Sequence, residues 1–171
     1  MWLAAGALVL LGIGLWLWAL KIDLATIERI VRRRFSEVPQ ISTEALAQWL
    51  ASGEASPLLL DARRPEEYEI AHLPGAQRLN PDEIRGRIEL DAPVETPIVI
   101  YCAVGYRSSK LARRLLKQGF TNVQNLEGAI FRWANENRPL VSGAQAPTDK
   151  IHPYSNFWSR LVNREHRAEI N

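Results

Sequence analysis

Along the middle of the chain, the pattern of hydrophobic and polar positions changes repeatedly between one typical of a short strand and one typical of a helix. Short apolar runs predict strands at residues 38–41, 58–61, 77–79, 97–101 and 123–126. Apolar positions at helical spacing predict helices at residues 42–50, from 65 onward, and at 82–90, 106–118 and 129–137. This alternation predicts an α/β fold, with a parallel sheet that carries helices on both faces.

Proline, glycine and hydroxyl residues mark several of the predicted boundaries. Pro39 has no backbone N–H to donate within a sheet, so the strand that contains it is predicted at a sheet edge. Pro65 is predicted to begin a helix, and Gly119 to end one as a C-cap. Ser42 or Thr43 is predicted to cap the first helix of the domain.

The first part of the chain is uniformly apolar. Residues 2–20 hold no charged side chain, and as a helix they would be about 28 Å long, close to the hydrocarbon thickness of a bilayer. Trp2, Trp16 and Trp18 lie near the ends, where aromatic side chains favour the membrane interface. A cleaved signal peptide would have basic residues first and a small-residue cleavage site afterwards. Residues 1–21 are therefore predicted to be a retained transmembrane anchor.

The charge that follows this segment predicts its orientation. Residues 21–34 carry five basic and two acidic side chains, a net charge of +3. Because positive flanks stay on the cytoplasmic side, we expect a single-pass protein with its soluble domain on that side. A lone cysteine cannot form an internal disulfide, which agrees with a reducing compartment.

Residues 22–37 are predicted to be a basic amphipathic linker. Its apolar side chains lie on one side of a helix, opposite the arginines: Ile22, Ile27, Ile30, Val31 and Phe35. Such a segment extends the membrane helix, lies on the membrane surface beside anionic headgroups, or is a solvated linker. The sequence leaves these alternatives open.

Residues 142–171 are predicted to form a linker and then an aromatic and basic tail. Residues 142–148 are rich in small residues and proline, as linkers are. Ser155 is predicted to cap a helix with Trp158, Leu161 and Val162 as its apolar stripe. That stripe docks on the domain, on lipid or on a partner, and packing on the domain is the commonest of the three.

Composition and charge narrow the class of protein. The chain is 47% hydrophobic, ample for one core of ordinary size. Residues 40–141 hold 12 basic and 13 acidic side chains, so the domain is nearly neutral and nucleic acid is not an expected partner. His152 and His166 have no cysteine or carboxylate cluster beside them, so we expect neither a metal site nor a cofactor.

Cys102 is the only cysteine and the candidate catalytic nucleophile. It follows an apolar run and precedes a helical pattern, which places it in a strand-to-helix turn. Backbone N–H groups converge at such a turn, and the helix dipole and Arg107 add positive charge, conditions that favour a thiolate. The alternative is a buried cysteine that only packs. The glycine, arginine and two serines of the turn favour chemistry.

The chain resembles the rhodanese-like sulfurtransferases in four motifs that occur in the family's order. Cys102, Ala103, Val104, Gly105, Tyr106, Arg107 and Ser108 resemble its active-site loop. Residues 58–68, 71–76 and 125–133 resemble its other motifs, with Glu127 in place of one glycine. The resemblance covers about residues 38–141, which it identifies as a rhodanese-like domain.

The resemblance implies a two-step sulfur transfer. The Cys102 thiolate attacks a sulfane-sulfur donor and becomes a persulfide held by the amides of residues 103–107, and a thiol or other nucleophile then takes the outer sulfur. Arg107 is expected to steer an anionic donor and stabilise the thiolate. Gly105 is expected to permit close backbone approach or a positive φ, and Ser108 to open the helix.

The spacing within the loop argues against a phosphatase. Four residues separate Cys102 from Arg107, whereas cysteine phosphatases and arsenate reductases use five, so the smaller ring suits a single extra sulfur atom. Ala103 and Val104 stand where thiosulfate-using relatives often carry a cation. Both thiosulfate and a persulfide are therefore candidate donors. Tyr106 either walls the pocket or only packs.

Three polar residues outside the loop are expected to have structural roles. The resemblance implies that Asp61 and Arg63 support the loop, and the alternative is a surface salt bridge between them. His72 precedes a turn at Pro74, where a structural hydrogen bond is expected rather than catalysis.

The sequence as a whole predicts an enzyme, a membrane-anchored sulfurtransferase with thiosulfate or a persulfide as donor. Its expected partners are a small sulfur donor, a thiol acceptor and membrane lipid. The alternative is a rhodanese-like module that tethers a membrane protein complex with little or no turnover. The intact Cys102 and Arg107 favour the enzyme, whereas the anchor and the aromatic tail favour the tether.

Overall fold

The computed structural model of the chain describes residues 22–169, and its centre is a five-stranded sheet. The strands are β1 (Gln40–Ile41), β2 (Leu58–Asp61), β3 (Gln77–Arg78), β4 (Ile98–Tyr101) and β5 (Val123–Leu126). They lie in the order β1-β5-β4-β2-β3, and every neighbouring pair is parallel. The predicted parallel sheet is confirmed.

Helices cover this sheet. They are α1 (Leu24–Arg34), α2 (Thr43–Ala51), α3 (Pro65–Ile70), α4 (Tyr106–Lys117), α5 (Ala129–Asn135) and α6 (Asn156–Ser159), with 3-10 turns at Pro81–Glu83 and Arg164–His166. All four side chains of β4 are buried. Because successive strand side chains point to opposite faces, both faces of this central strand are covered.

Most of the predicted boundaries are confirmed to within two residues. β1 follows Pro39 and lies at a sheet edge. Ser42 caps α2, since its hydroxyl accepts a hydrogen bond from the Ala45 N–H at 3.1 Å. Pro65 is the first residue of α3.

The helix predicted at residues 82–90 is wrong, because only a 3-10 turn forms at its start. Arg114 of α4 donates to the carbonyls of Pro81, Ile84 and Gly86 at 3.0, 3.2 and 2.9 Å. Gln118 accepts from the Ile88 N–H at 3.2 Å. Tertiary hydrogen bonds to α4 therefore satisfy backbone groups that a helix would have paired internally.

Residues 22–37 pack against the domain, which is none of the three alternatives predicted for them. Ile27, Val31 and Phe35 of this segment are buried in the domain core. Glu28 forms a two-pronged ion pair with Arg132 of α5, with N–O distances of 2.5 and 2.7 Å. These three side chains of the apolar stripe thus pack on the domain, whereas Ile30 of the same stripe is exposed.

The tail also packs on the domain, the commonest of the three expected cases. Ile151 and Val162 are buried. The Asn135 side chain donates to the Leu161 carbonyl at 2.9 Å and accepts from the Asn163 N–H at 2.8 Å. The predicted linker of residues 142–148 instead turns back on itself, because β6 (Leu140–Val141) pairs antiparallel with β7 (Pro147–Thr148).

The predicted transmembrane anchor at residues 1–21 lies outside the described residues. Within residues 22–169, none of the helices has the length and apolar character needed to span a bilayer.

Candidate active site

Cys102 lies at the carboxyl end of β4, the middle strand of the sheet, and directly before α4. This is the edge at which open parallel sheets bind ligands. Two groups donate hydrogen bonds to its sulfur: the Gly105 N–H at 3.2 Å and the Ser108 hydroxyl at 3.4 Å. The predicted strand-to-helix turn is confirmed, and the sulfur lies against the first turn of α4.

Ser108 has a more direct place at the site than the sequence suggested. It was predicted as an active-site-loop residue that opens the helix, but α4 begins at Tyr106, and Ser108 lies buried within its first turn. Position 108 is one helical turn beyond Gly105, so its side chain projects back towards the helix N-terminus and reaches the sulfur.

Gly105 adopts a conformation that favours glycine. Its φ is +97°, in the left-handed region. A Cβ at this position would lie 3.3 Å from Asn125 Nδ2 and 3.6 Å from Val31 Cγ1. The positive φ aims the N–H of Gly105 at the sulfur, and the absence of a side chain lets α1 and β5 approach the loop.

The N-terminus of α5 holds the opposite side of the loop. The Ile130 N–H donates to the Cys102 carbonyl at 3.1 Å, and the Phe131 N–H donates to the Ala103 carbonyl at 3.2 Å. These bonds satisfy two free donors of the helix end and fix the orientation of two loop peptides. The motif at residues 125–133 is visible in the sequence, but its contact with the loop is not.

Arg107 is paired with a carboxylate for which the sequence predicted no role. Its Nη1 and Nη2 donate to the two oxygens of Glu67 at 2.7 and 2.8 Å, and the Glu67 side chain is 1% exposed. The Arg64 N–H also donates to Glu67 at 3.1 Å. Glu67 therefore balances the charge of Arg107 and fixes its orientation. The expected roles of Arg107 in steering an anionic donor and stabilising the thiolate stay predictions. The only signal in the sequence was the Glu66-Glu67-Tyr68 motif.

The ionisation of Glu67 follows from this pairing. Burial alone would raise the pKa of Glu67, but hydrogen bonds from Arg107, the charges of Arg107 and Arg63, and the Arg64 N–H together lower it below 4.5. Glu67 is therefore ionised at neutral pH. It ties α3 to the active-site loop.

Asp61 and Arg63 form a fully buried ion pair, so the surface salt bridge alternative is wrong. Arg63 donates to both oxygens of Asp61, with Nη2–Oδ2 at 2.6 Å, and also to the Ala71 carbonyl at 2.5 Å. Although burial disfavours the cation, Asp61 raises the pKa of Arg63 further. The pair joins the end of β2 to the end of α3, the helix that carries Glu67, so its link to the loop is indirect.

An apolar cavity of about 310 Å³ opens above the sulfur. Two of its lining residues belong to the predicted active-site loop and can carry charge, Cys102 and Arg107. The others are apolar or aromatic residues from α1, the loop and the tail: Ile27, Ile30, Val31, Ala103, Val104, Tyr106, Tyr154 and Trp158. Tyr106 thus lines the cavity and also packs edge-on against Phe35, with ring centroids 5.2 Å apart.

His72 lies away from this cavity and makes structural contacts, as predicted. Its Nδ1 lies 3.0 Å from the Tyr68 carbonyl, and its Nε2 lies 3.2 Å from the Gln145 side chain. Its ring stacks on Tyr68 with centroids 3.8 Å apart.

Comparison with known proteins agrees with this geometry. The family model of the rhodanese-like domain matches residues 42–136. The chain belongs to the rhodanese-like family. The matched residues run from the cap of α2 to the end of α5, so they include Cys102 and its loop.

Two relatives carry sulfurtransferase names. A sulfurtransferase of Allochromatium vinosum is 37% identical to this chain. The match covers 61% of this chain and 96% of the length of that protein. A probable adenylyltransferase/sulfurtransferase of Mycobacterium tuberculosis is 34% identical over 58% of this chain, but the match spans only 25% of that protein.

A solved structure shows the same fold. The rhodanese-like domain of the Alr3790 protein from Anabaena sp. superposes with a TM-score of 0.57, at 22% sequence identity. The match covers 78% of this chain and 98% of that domain. The α/β architecture around the loop is therefore the rhodanese-like one.

Proposed function

We propose that this chain is a sulfurtransferase in which Cys102 carries the transferred sulfur as a persulfide. The observation that carries the proposal is the placement of one sulfur at the floor of a cavity, where a loop N–H and a buried hydroxyl both donate to it. A cysteine that only packed would need neither donor. The relatives named as sulfurtransferases support the same chemistry.

The chemistry runs in two substitutions at sulfur. The Cys102 thiolate attacks the sulfane sulfur of a donor, the new S–S bond forms, and the donor leaves with the electron pair of the broken bond. An acceptor thiolate then attacks the outer sulfur and releases Cys102. The hydrogen bonds from Gly105 and Ser108 stabilise the negative sulfur before the first step and after the second.

The remaining loop residues position the nucleophile. Gly105 supplies its N–H through a positive φ, and Ala103, Val104 and Tyr106 form cavity walls around the sulfur. Arg107 fixes the first turn of α4 by its bond to Glu67. Asp61 and Arg63 hold α3 in place for that bond.

The test is the intact mass of the full chain after incubation with thiosulfate or an organic persulfide. We expect an increase of one sulfur atom, reversed by dithiothreitol and absent in Cys102→Ser. Ser159→Ala, which changes a half-buried tail hydroxyl that donates to the Asn156 carbonyl, is the control and should gain sulfur normally. If no donor adds sulfur to the wild-type chain, the enzymatic proposal fails.

We also propose that residues 1–21 anchor the domain to a membrane, with residues 22–171 on the cytoplasmic side. The uncharged run and the basic flank support this. The chain expressed in bacterial cells should stay in the membrane pellet after carbonate washing, and protease added outside intact spheroplasts should leave the domain uncut. Release into the supernatant would overturn the anchor, and cleavage from outside would overturn the orientation.

The tethering alternative loses one of its supports. The tail stripe that favoured docking to a partner is largely used within the chain, since Leu161 and Val162 are buried against the domain. The enzyme is therefore the function we argue for, and its partners are a sulfur donor and a thiol acceptor.

A further inference from the structure

The cavity above Cys102 has almost no polar wall. Eight of its ten lining residues are apolar or aromatic, and the remaining two are Cys102 and Arg107. A cavity of about 310 Å³ is at the lower end of the sizes that hold organic ligands, which are about 300–1,000 Å³. A bare inorganic anion would leave most of it empty.

The one cation at the cavity is already neutralised. Both terminal nitrogens of Arg107 are bonded to the buried carboxylate of Glu67. The aromatic ring of Tyr154 also covers the guanidinium, whose central carbon lies 5.0 Å from the ring centroid. A doubly charged donor such as thiosulfate would lose water on entering without gaining a free partner, and that loss disfavours its binding.

The exposed apolar side chains of the domain gather at the same place. Among residues 22–169, five large hydrophobic residues are exposed, and three of them line this cavity: Ile30, Tyr106 and Tyr154, at 47%, 46% and 39%. A fourth, Phe157, packs edge-on against the cavity residue Trp158 at 5.4 Å between centroids. The mouth of the cavity is therefore an apolar rim.

We infer that the sulfur donor is a small organic persulfide, R–S–SH, whose R group is an uncharged aromatic or branched aliphatic body. The inference rests on the proposed function and names its substrate class. The R group fills the cavity between α1, Tyr106 and the tail while the outer sulfur meets Cys102. A bond forms between the Cys102 sulfur and the outer sulfur of the donor, while the S–S bond of R–S–SH breaks. The thiolate R–S⁻ leaves with the electron pair of that bond, so no net oxidation occurs.

The test compares three donors on the full chain: benzyl hydropersulfide, glutathione persulfide and thiosulfate. The rate of sulfur addition to Cys102 is divided by the rate of the same donor with free cysteine, which removes intrinsic reactivity. We expect the normalised kcat/KM for benzyl hydropersulfide to exceed both others at least tenfold. Equal or lower values would overturn the inference while leaving the proposed function intact.

Two substitutions locate the preference. Ile30→Lys places a charge on the rim and should lower the benzyl-to-thiosulfate ratio at least fivefold. Val94→Lys changes an exposed hydrophobic residue that does not line the cavity and should leave the ratio unchanged. A ratio that is insensitive to Ile30→Lys would overturn the inference. If only a protein-bound persulfide loads Cys102, the donor is a protein and the small-molecule inference is wrong.

Discussion

Ser108 is buried in the first turn of α4, and its hydroxyl donates to the sulfur of Cys102 at 3.4 Å. A hydrogen bond to a charged acceptor contributes about 1.5–3 kcal/mol. Ser108→Ala should therefore slow sulfur addition to Cys102 about tenfold or more, measured by stopped-flow with a fixed donor. The thermal midpoint should change little, because the new methyl group fits where the hydroxyl was. An unchanged rate would remove Ser108 from the site.

Gly105 and Gly119 offer a matched pair for the backbone of the loop. Their φ angles are +97° and +99°, but a Cβ at Gly105 would meet Asn125 and Val31, whereas one at Gly119 would meet nothing within 4 Å. Both alanine variants should lose about 1–2 kcal/mol of stability from the left-handed conformation, measured by urea unfolding. Only Gly105→Ala should also slow sulfur addition. Equal rates in the two variants would contradict the proposed role of the Gly105 N–H.

Helix α3 acts on the loop through a single carboxylate, Glu67. Its folded pKa lies below 4.5, so the unfolded state binds more protons at and below that pH. The stability that Glu67 contributes is therefore complete well above pH 4.5 and is lost as the pH falls through its folded pKa. Glu67→Gln should be less stable than wild type by about 2 kcal/mol at pH 7.

The difference between Glu67→Gln and wild type should shrink as the pH falls from 4.5 through the lowered pKa of folded Glu67. Unfolded wild type takes up the proton first, and once folded Glu67 is protonated as well, both chains are neutral at this position. Urea unfolding at a series of pH values measures it. Glu66→Gln is the matched control, since the Glu66 side chain is 58% exposed and should contribute little at any pH. A gap between Glu67→Gln and wild type that does not change with pH would contradict the ion pair.

Elements built from local sequence were predicted well, and those decided by tertiary contacts were not. The strand before Cys102 and the helix after it follow from an apolar run and a helical stripe within 20 residues. The helix at 82–90 failed because Arg114 and Gln118 bind its backbone from another element. The Glu67–Arg107 pair joins residues that are 40 positions apart in the sequence, and a local sequence pattern cannot predict a contact between such distant residues.

The walls of the site come from the ends of the described chain. α1 and the tail both line the cavity above Cys102, although the sequence placed them outside the domain as linker and tail. Their apolar stripes were visible, but the sequence did not say what each stripe packs against. The strand-to-helix pattern and the resemblance both pointed to Cys102 as the candidate nucleophile, whereas the cavity wall formed by α1 and the tail is visible only in the structure.

The docking of the tail is testable for the whole molecule. Leu161 is buried against the domain, so Leu161→Ala should lower the free energy of unfolding by about 2–3 kcal/mol. Thermal unfolding measures this loss, and the rate of limited proteolysis after residue 150 reports release of the tail. Phe157→Ala, at a residue 46% exposed, should cost less than about 1 kcal/mol. Equal losses would mean that the tail does not pack as described.

The central claim is that sulfur passes through Cys102, and a single-turnover label transfer tests it most directly. The full chain is loaded with a donor carrying a ³⁵S sulfane atom, freed of excess donor, and mixed with an acceptor thiol. The label should be found on the peptide that contains Cys102 and then move to the acceptor, one atom per chain. Label that reaches the acceptor without appearing on Cys102, or that never leaves it, would contradict the account.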